Sequence, residues 1–295
     1  MKIISSITVT DAVLTTNIPI TETLWTAGTY TTGTQRYEGH LLYEVIASPS
    51  TTDQPSVGAA KTTPTWKMLH AINRWMMFDG KANSQSTKAT PIDVTVNLPN
   101  IVNAVSVLNM SAKTLILTVN DDVDGEVYRR EVELIDNSVV TDWWTFFFAP
   151  YSQIYDLVFT DLPAYTSADV RMQLTSITGD VACGELVLGT IREIGDTQFG
   201  TSVGMTDYSR KQADDFGNYS IEQRAFSKRV EYNIQVETKD VPGIFKFLTG
   251  LRATPSVFVG DDGFEATIVY GFYKDFDILI SNPALSICNL SVEGL

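Results

Sequence analysis

The sequence predicts an all-β protein, and three observations carry that prediction. Short runs of β-branched and aromatic residues recur along the whole chain. Turn residues separate them at roughly the 8–12-residue spacing of antiparallel sandwiches. Helical periodicity is scarce, with one run at 242–252 as the main exception.

Taken in order, the runs fall into three regions. Residues 1–79 are Thr-rich and aromatic, with a polar loop at 48–64. Residues 80–188 hold dense strand runs, at 92–96, 115–119, 127–134, 156–159, 170–177 and 185–189. Residues 189–295 open with a polar, charged arm at about 193–229. They continue with strand runs at 230–236, 256–259 and 267–272. Between these lies the run at 242–252, which predicts a short helix capped by Asp240. No Gly/Ser linker separates the regions, so they are expected to pack together.

Composition narrows the function classes. Of 295 residues, 44% are apolar, enough for a packed core. Lys and Arg total 21 against 35 Asp and Glu, for a net charge of -14. Phosphate binding rests on Lys and Arg, so a general nucleic-acid binder is excluded. The acid is concentrated: residues 81–190 carry 6 basic and 14 acidic side chains, whereas residues 1–80 are nearly balanced. The two cysteines, Cys183 and Cys288, lie in apolar runs. They read as buried free thiols in a reducing compartment. No run reaches the ~18 apolar residues of a membrane span, and the first residues show no signal-peptide core. Membrane insertion is therefore not expected.

Residues 25–66 hold a spaced set of aromatics and glycines: Trp25, Gly28, Tyr30, Gly33, Tyr37, Gly39, Tyr43 and Trp66. Flat aromatic faces stack on sugar rings, which makes Trp25, Tyr30, Tyr43 and Trp66 candidate carbohydrate-binding residues. The alternative is that the same aromatics form the core of a domain too small to have another.

Asn120, Asp122, Asp124, Gly125, Val127 and Glu131 follow the spacing of an EF-hand calcium loop. The flanks are strand-like, however, and Asp124-Gly125 is a strong hairpin signal. A hairpin is expected, with calcium at Asn120, Asp122, Asp124 and Glu131 as the alternative.

The run Asp-Trp-Trp-Thr-Phe-Phe-Phe at 142–148 offers a large aromatic surface. It fits the core of a sandwich, or an interface between subunits through Trp143 and Trp144. The arm interleaves bases with aromatics: Tyr208, Arg210 and Lys211, then Phe216, then Arg224, Phe226 and Arg229. Its strands do not alternate cleanly, so a neighbouring subunit is expected to order it. His40 and His70 have no partner at metal spacing, and neither a phosphate loop nor a dinucleotide fingerprint is present. No catalytic role and no cofactor are expected.

Residues 25–66 resemble the type-3 chitin-binding fold, a small three-stranded carbohydrate-binding module. The likeness fails after Tyr43, where 44–47 lack the exposed aromatic of chitin binders. The whole chain resembles a family of bacteriophage tail proteins labelled as carrying a carbohydrate-binding domain. That likeness rests on the segments at 73–79, 181–189, 208–211, 224–229, 270–276 and 290–295, in that order. It implies a middle block folded as a galactose-binding-like jelly roll and a C-terminal β domain with a protruding arm. It also implies a structural virion component at the tail tip, baseplate or fibre-attachment region, assembled in the bacterial cytoplasm. Its partners would be other tail proteins and further copies of itself around the tail axis. The alternative is a glycan-binding protein that recognises host cell-surface polysaccharide.

Overall fold

The computed structural model describes residues 1–97, 100–136, 140–148, 152–213 and 217–295. Strands make up 49% of the chain and helices 12%, so the fold is all-β, built on curled sheets. The largest sheet has ten strands. Its order runs Leu157–Phe159, Ala104–Leu108, Glu185–Glu193, Lys2–Ser6, Ser256–Val259, Ile268–Leu279, Leu285–Gly294, Phe226–Glu237 and Asp196–Thr197. Ser202–Asp207 pairs with Phe226–Glu237 as well.

One end of this sheet forms a jelly-roll-like sandwich with a five-stranded sheet. The second sheet runs Gly125–Glu133, Thr114–Asp121, Asp169–Thr175, Ile92–Asn97 and Leu14–Thr16. Alternation sets which residues face inward. Ile92, Val94 and Val96, Leu115, Leu117 and Val119, and Val170, Met172 and Leu174 all point into one core. Val105, Val107, Leu186 and Leu188 meet them from the large sheet.

The other end of the large sheet curls around a second core. Val230, Tyr232, Ile234 and Val236 alternate inward, joined by Phe258, Cys288, Leu290 and Val292. The helix Val241–Gly250 closes this core with Ile244 and Leu248, at nearly the place expected from sequence. Arg192 tethers it, stacking 4.5 Å from the Phe247 ring centroid.

The stretch between the two cores is buried on both faces. Ala104, Leu108, Val187, Ile4, Val257, Ile268 and Tyr270 fill the second face there. This explains why 104–108 and 185–189 are buried at every position rather than at alternate ones, Ser106 and Glu185 included. Two glycines permit the tight strand approach: a Cβ at Gly189 would lie 2.0 Å from the Ser5 carbonyl oxygen, and one at Gly271 2.0 Å from that of Glu293.

A small three-stranded sheet, Gln35–Glu38, Leu41–Val45 and Trp66–Ala71, packs against the sandwich. The 3-10 helix Asn73–Phe78 makes the junction. Asn73 exchanges two 2.8 Å hydrogen bonds with Thr87, and Arg74 Nε–H donates to the Ile18 carbonyl at 2.9 Å.

The strands cross the expected boundaries. Lys2–Ser6 sits in the middle of the large sheet, Leu14–Thr16 joins the five-stranded sheet, and Glu185–Glu193 runs across position 188. Composition groups residues along the chain, whereas strand pairing groups them by edges brought together from far apart.

Candidate functional site

The aromatics of the small module serve as its core. Trp66 is 1% exposed and Tyr43 6%. The Trp66 indole N–H donates to the Asp53 carbonyl at 2.9 Å, and Tyr30 meets the Trp66 ring edge-on at 5.7 Å. The Tyr30 hydroxyl donates to the Thr26 carbonyl at 2.6 Å, and Arg36 covers its ring at 5.1 Å. Trp25 packs half-buried against the same cluster. Of the expected sugar-binding row, Tyr43 and Trp66 are core residues, as the alternative reading had them, whereas Trp25 and Tyr30 stay half-buried. A module this small spends its large rings on the core, which leaves Tyr43 and Trp66 no face for a sugar.

The loop at 120–131 is a hairpin. Gly125 takes φ +75°, and the Asp121 carboxylate accepts the backbone N–H of Val123 at 3.0 Å and of Asp124 at 3.2 Å. Glu131 lies on the returning strand, paired with Ile116, while Asn120 pairs with Glu126. Glu131 is thus six residues past the turn glycine, roughly 20 Å along an extended strand. It cannot close a loop on Asp122 and Asp124, so the calcium alternative is set aside. Among the described residues no group of three or more His, Cys, Asp or Glu could hold a metal ion.

The aromatic run at 142–148 also corrects one expectation, for it is not sandwich core. It forms a short helix, Trp143–Phe148, standing clear of the protein. Trp143 is 78% exposed and Trp144 69%, and Phe146, Phe147 and Phe148 are exposed as well. Asp142 starts the helix: its carboxylate accepts the Thr145 N–H at 2.7 Å, and Thr145 Oγ1 accepts the Asp142 N–H at 3.0 Å. The rings touch one another, with Trp144 and Phe148 at 4.3 Å and Phe146 and Phe147 at 5.2 Å. We call this element the finger.

The arm stands out in the same way. Arg210–Ala213 and Tyr219–Glu222 form a two-stranded hairpin whose strand residues are all exposed. Lys211 lies 3.8 Å from the Tyr219 ring centroid, and Ile221 pairs with Lys211 on the same face. Arg224 bonds Glu222 at 2.8 Å, and Arg229 lies 4.0 Å from Glu231. Tyr208 and Phe226 are exposed at the base. Phe216 falls outside the described residues.

Two further groups escaped the reading of the sequence. A cleft of about 350 Å³ opens at the seam between the two cores, lined by Leu108, Tyr155, Phe226, Ile268 and Tyr270. Lys228 bonds Asp156 at its rim. Glu265 accepts the backbone N–H groups of Tyr155 at 3.3 Å and Asp156 at 3.2 Å. Burial and the neighbouring Asp156 hold the Glu265 carboxyl above its ordinary range. Behind the cleft, Glu185 is 5% exposed. Burial, then Asp79, pushes its carboxyl up to about 8. A lone acid inside the apolar run at 181–189 was the available signal for Glu185.

Compared with protein families, curated proteins and solved structures, the chain matches none.

Proposed function

We propose that the chain is a non-catalytic structural subunit of a bacteriophage virion tail, at the tip, baseplate or fibre-attachment region, where it holds neighbouring subunits. One observation carries this reading: finger and arm both present clustered large apolar side chains to solvent, Trp143, Trp144 and Phe146 to Phe148 on the one and Tyr219 and Ile221 on the other. Such patches mark protein contacts. The tail-protein resemblance of the segments at 73–79, 181–189, 208–211, 224–229, 270–276 and 290–295 supplies the setting. Rigid, mutually packed β modules suit a load-bearing part, and the buried thiols Cys183 and Cys288 suit cytoplasmic assembly. The burial of Tyr43 and Trp66 weighs against glycan recognition by the small module.

The test is composition of the particle. Phage particles from a producing culture are banded on a density gradient and their proteins identified by mass spectrometry. The chain is expected at a fixed copy ratio to other tail proteins. Intact, infectious particles that lack it would sink the proposal.

A further inference from the structure

We propose that the cleft at the seam between the two cores binds a small organic cation, an ammonium group carried on an apolar, ring-bearing tail. This site is independent of any role in assembly.

Shape and lining set the size and the tail. The cleft holds about 350 Å³. Small-molecule sites favour junctions between packed modules and begin at roughly 300 Å³. Its floor is apolar and sealed, since Leu108, Ile268 and Val269 are all buried. Tyr155 and Phe226 line it too, but are 51% and 53% exposed, which puts them at the mouth. A ring-bearing tail therefore meets aromatic surface on entry and aliphatic surface at the bottom.

The charged groups set the head. Three charged side chains line the cleft: Asp156, Lys228 and Glu265. The Lys228 ammonium is taken by one Asp156 oxygen. The other Asp156 oxygen accepts the Asn109 N–H at 2.9 Å. Glu265 Oε1 accepts both of the backbone N–H groups, from Tyr155 and Asp156. Glu265 Oε2 has no hydrogen-bond partner among the described residues, although the side chain is half-buried.

The cleft is thus one cation short. An incoming anion would face two carboxylates and an ammonium that is already bonded. A neutral tail would cover Glu265 Oε2 and leave it unpaired, which costs desolvation. An ammonium gains a charge-assisted bond there and offsets the repulsion between Glu265 and Asp156. Burial and Asp156 hold the Glu265 carboxyl above its ordinary range, and a cation beside it favours the ionised form.

The test uses the full chain, labelled at its Ile and Leu methyl groups for NMR. Phenethylamine, phenethyl alcohol and hydrocinnamate are titrated in turn. Phenethylamine is expected to shift the Ile268 and Leu108 methyl signals, with a Kd of about 1 mM or below. It is expected to bind about tenfold more tightly than the alcohol or the carboxylate. Glu265→Gln is expected to abolish that preference, because Gln still accepts the two N–H groups but carries no charge. Phe226→Ser, at an exposed position and so mild for folding, is expected to weaken amine binding while keeping the preference. No shift with the amine, shifts only at methyl groups away from the cleft, or a preference that survives Glu265→Gln would each overturn the site. Equal binding of Nα-acetyl-lysine amide would overturn it as well, since that probe has the ammonium without the ring and would make the occupant a lysine side chain of another protein.

Discussion

Tyr270 donates its hydroxyl hydrogen to Glu185 at 3.4 Å, at the place where the two cores of the protein meet. The backbone N–H of Gly80 donates to the other carboxylate oxygen at 3.2 Å, and Asp79 lies close enough to repel a second charge. Because the folded-state pKa is raised from about 4.5 to about 8, the folded protein holds this proton more tightly than the unfolded chain. Stability therefore falls as pH rises from about 4.5 to about 8, and the contribution levels off above that. A shift of this size corresponds to at most about 5 kcal/mol. Glu185→Gln is expected to flatten thermal stability across this range and to raise Tm at pH 8.5, with little change at pH 4.5. Parallel pH profiles of wild type and variant would show that Glu185 does not titrate in this way.

Trp66 anchors the small module. Its ring is buried against Tyr43, Val45 and Tyr30, and its N–H is used by Asp53. Trp66→Ala is expected to cost about 3–5 kcal/mol, read from the urea midpoint of the module. Limited proteolysis should then cut within residues 25–66 first. A variant that unfolds at the wild-type midpoint would return Trp66 to the list of available binding surfaces.

Much of the fold was legible in the sequence because strand alternation is a local property. The positions Ile92, Val94 and Val96 declare both strand and inward face, and the helix after Asp240 declares itself by its 3.6-residue spacing. Strand partners were not legible. Nothing in residues 2–6 says that they pair with both 189–193 and 256–259. Burial of aromatics was equally hidden. Trp66 sits between Thr65 and Lys67 and Trp143 in a run of aromatics, yet it is Trp66 that is sealed and Trp143 that stands in solvent. The difference lies in whether a second layer covers them, and that layer comes from distant chain. The seam of Asp156, Lys228 and Glu265 was invisible for the same reason, since its members lie 37 to 109 residues apart.

The hairpin at Gly125 makes a double prediction. With φ +75° and open space around a Cβ, Gly125→Ala meets backbone strain alone. The expected cost is about 1 kcal/mol, measured by chemical denaturation. Millimolar calcium is expected to leave the wild-type Tm unchanged, because Glu131 is carried away along its strand. A calcium-dependent rise in Tm that vanishes in Asp124→Ala would restore the metal reading.

Lys228 and Asp156 tie the arm's base to the sandwich, and their coupling can be measured directly. The Asp156 side chain is mostly buried; it accepts the Asn109 N–H at 2.9 Å as well as the lysine ammonium. Glu265 sits beside it, so this ammonium offsets two neighbouring carboxylates. Removing the lysine alone leaves both acids facing each other in a half-closed cleft. Lys228→Met is expected to cost about 1–3 kcal/mol, less than for a fully buried pair because the lysine is partly exposed. Lys228→Met/Asp156→Asn is expected to cost less than the sum of the two single changes, since it removes the stranded charge along with its partner. The pH dependence adds a second check. As Glu265 holds its proton more readily than an ordinary carboxyl, acidification relieves the repulsion in Lys228→Met. The Tm deficit of that variant should therefore be smaller at pH 5 than at pH 8. Additive single changes together with an equal deficit at both pH values would mean that the ammonium and the carboxylates act independently at this seam.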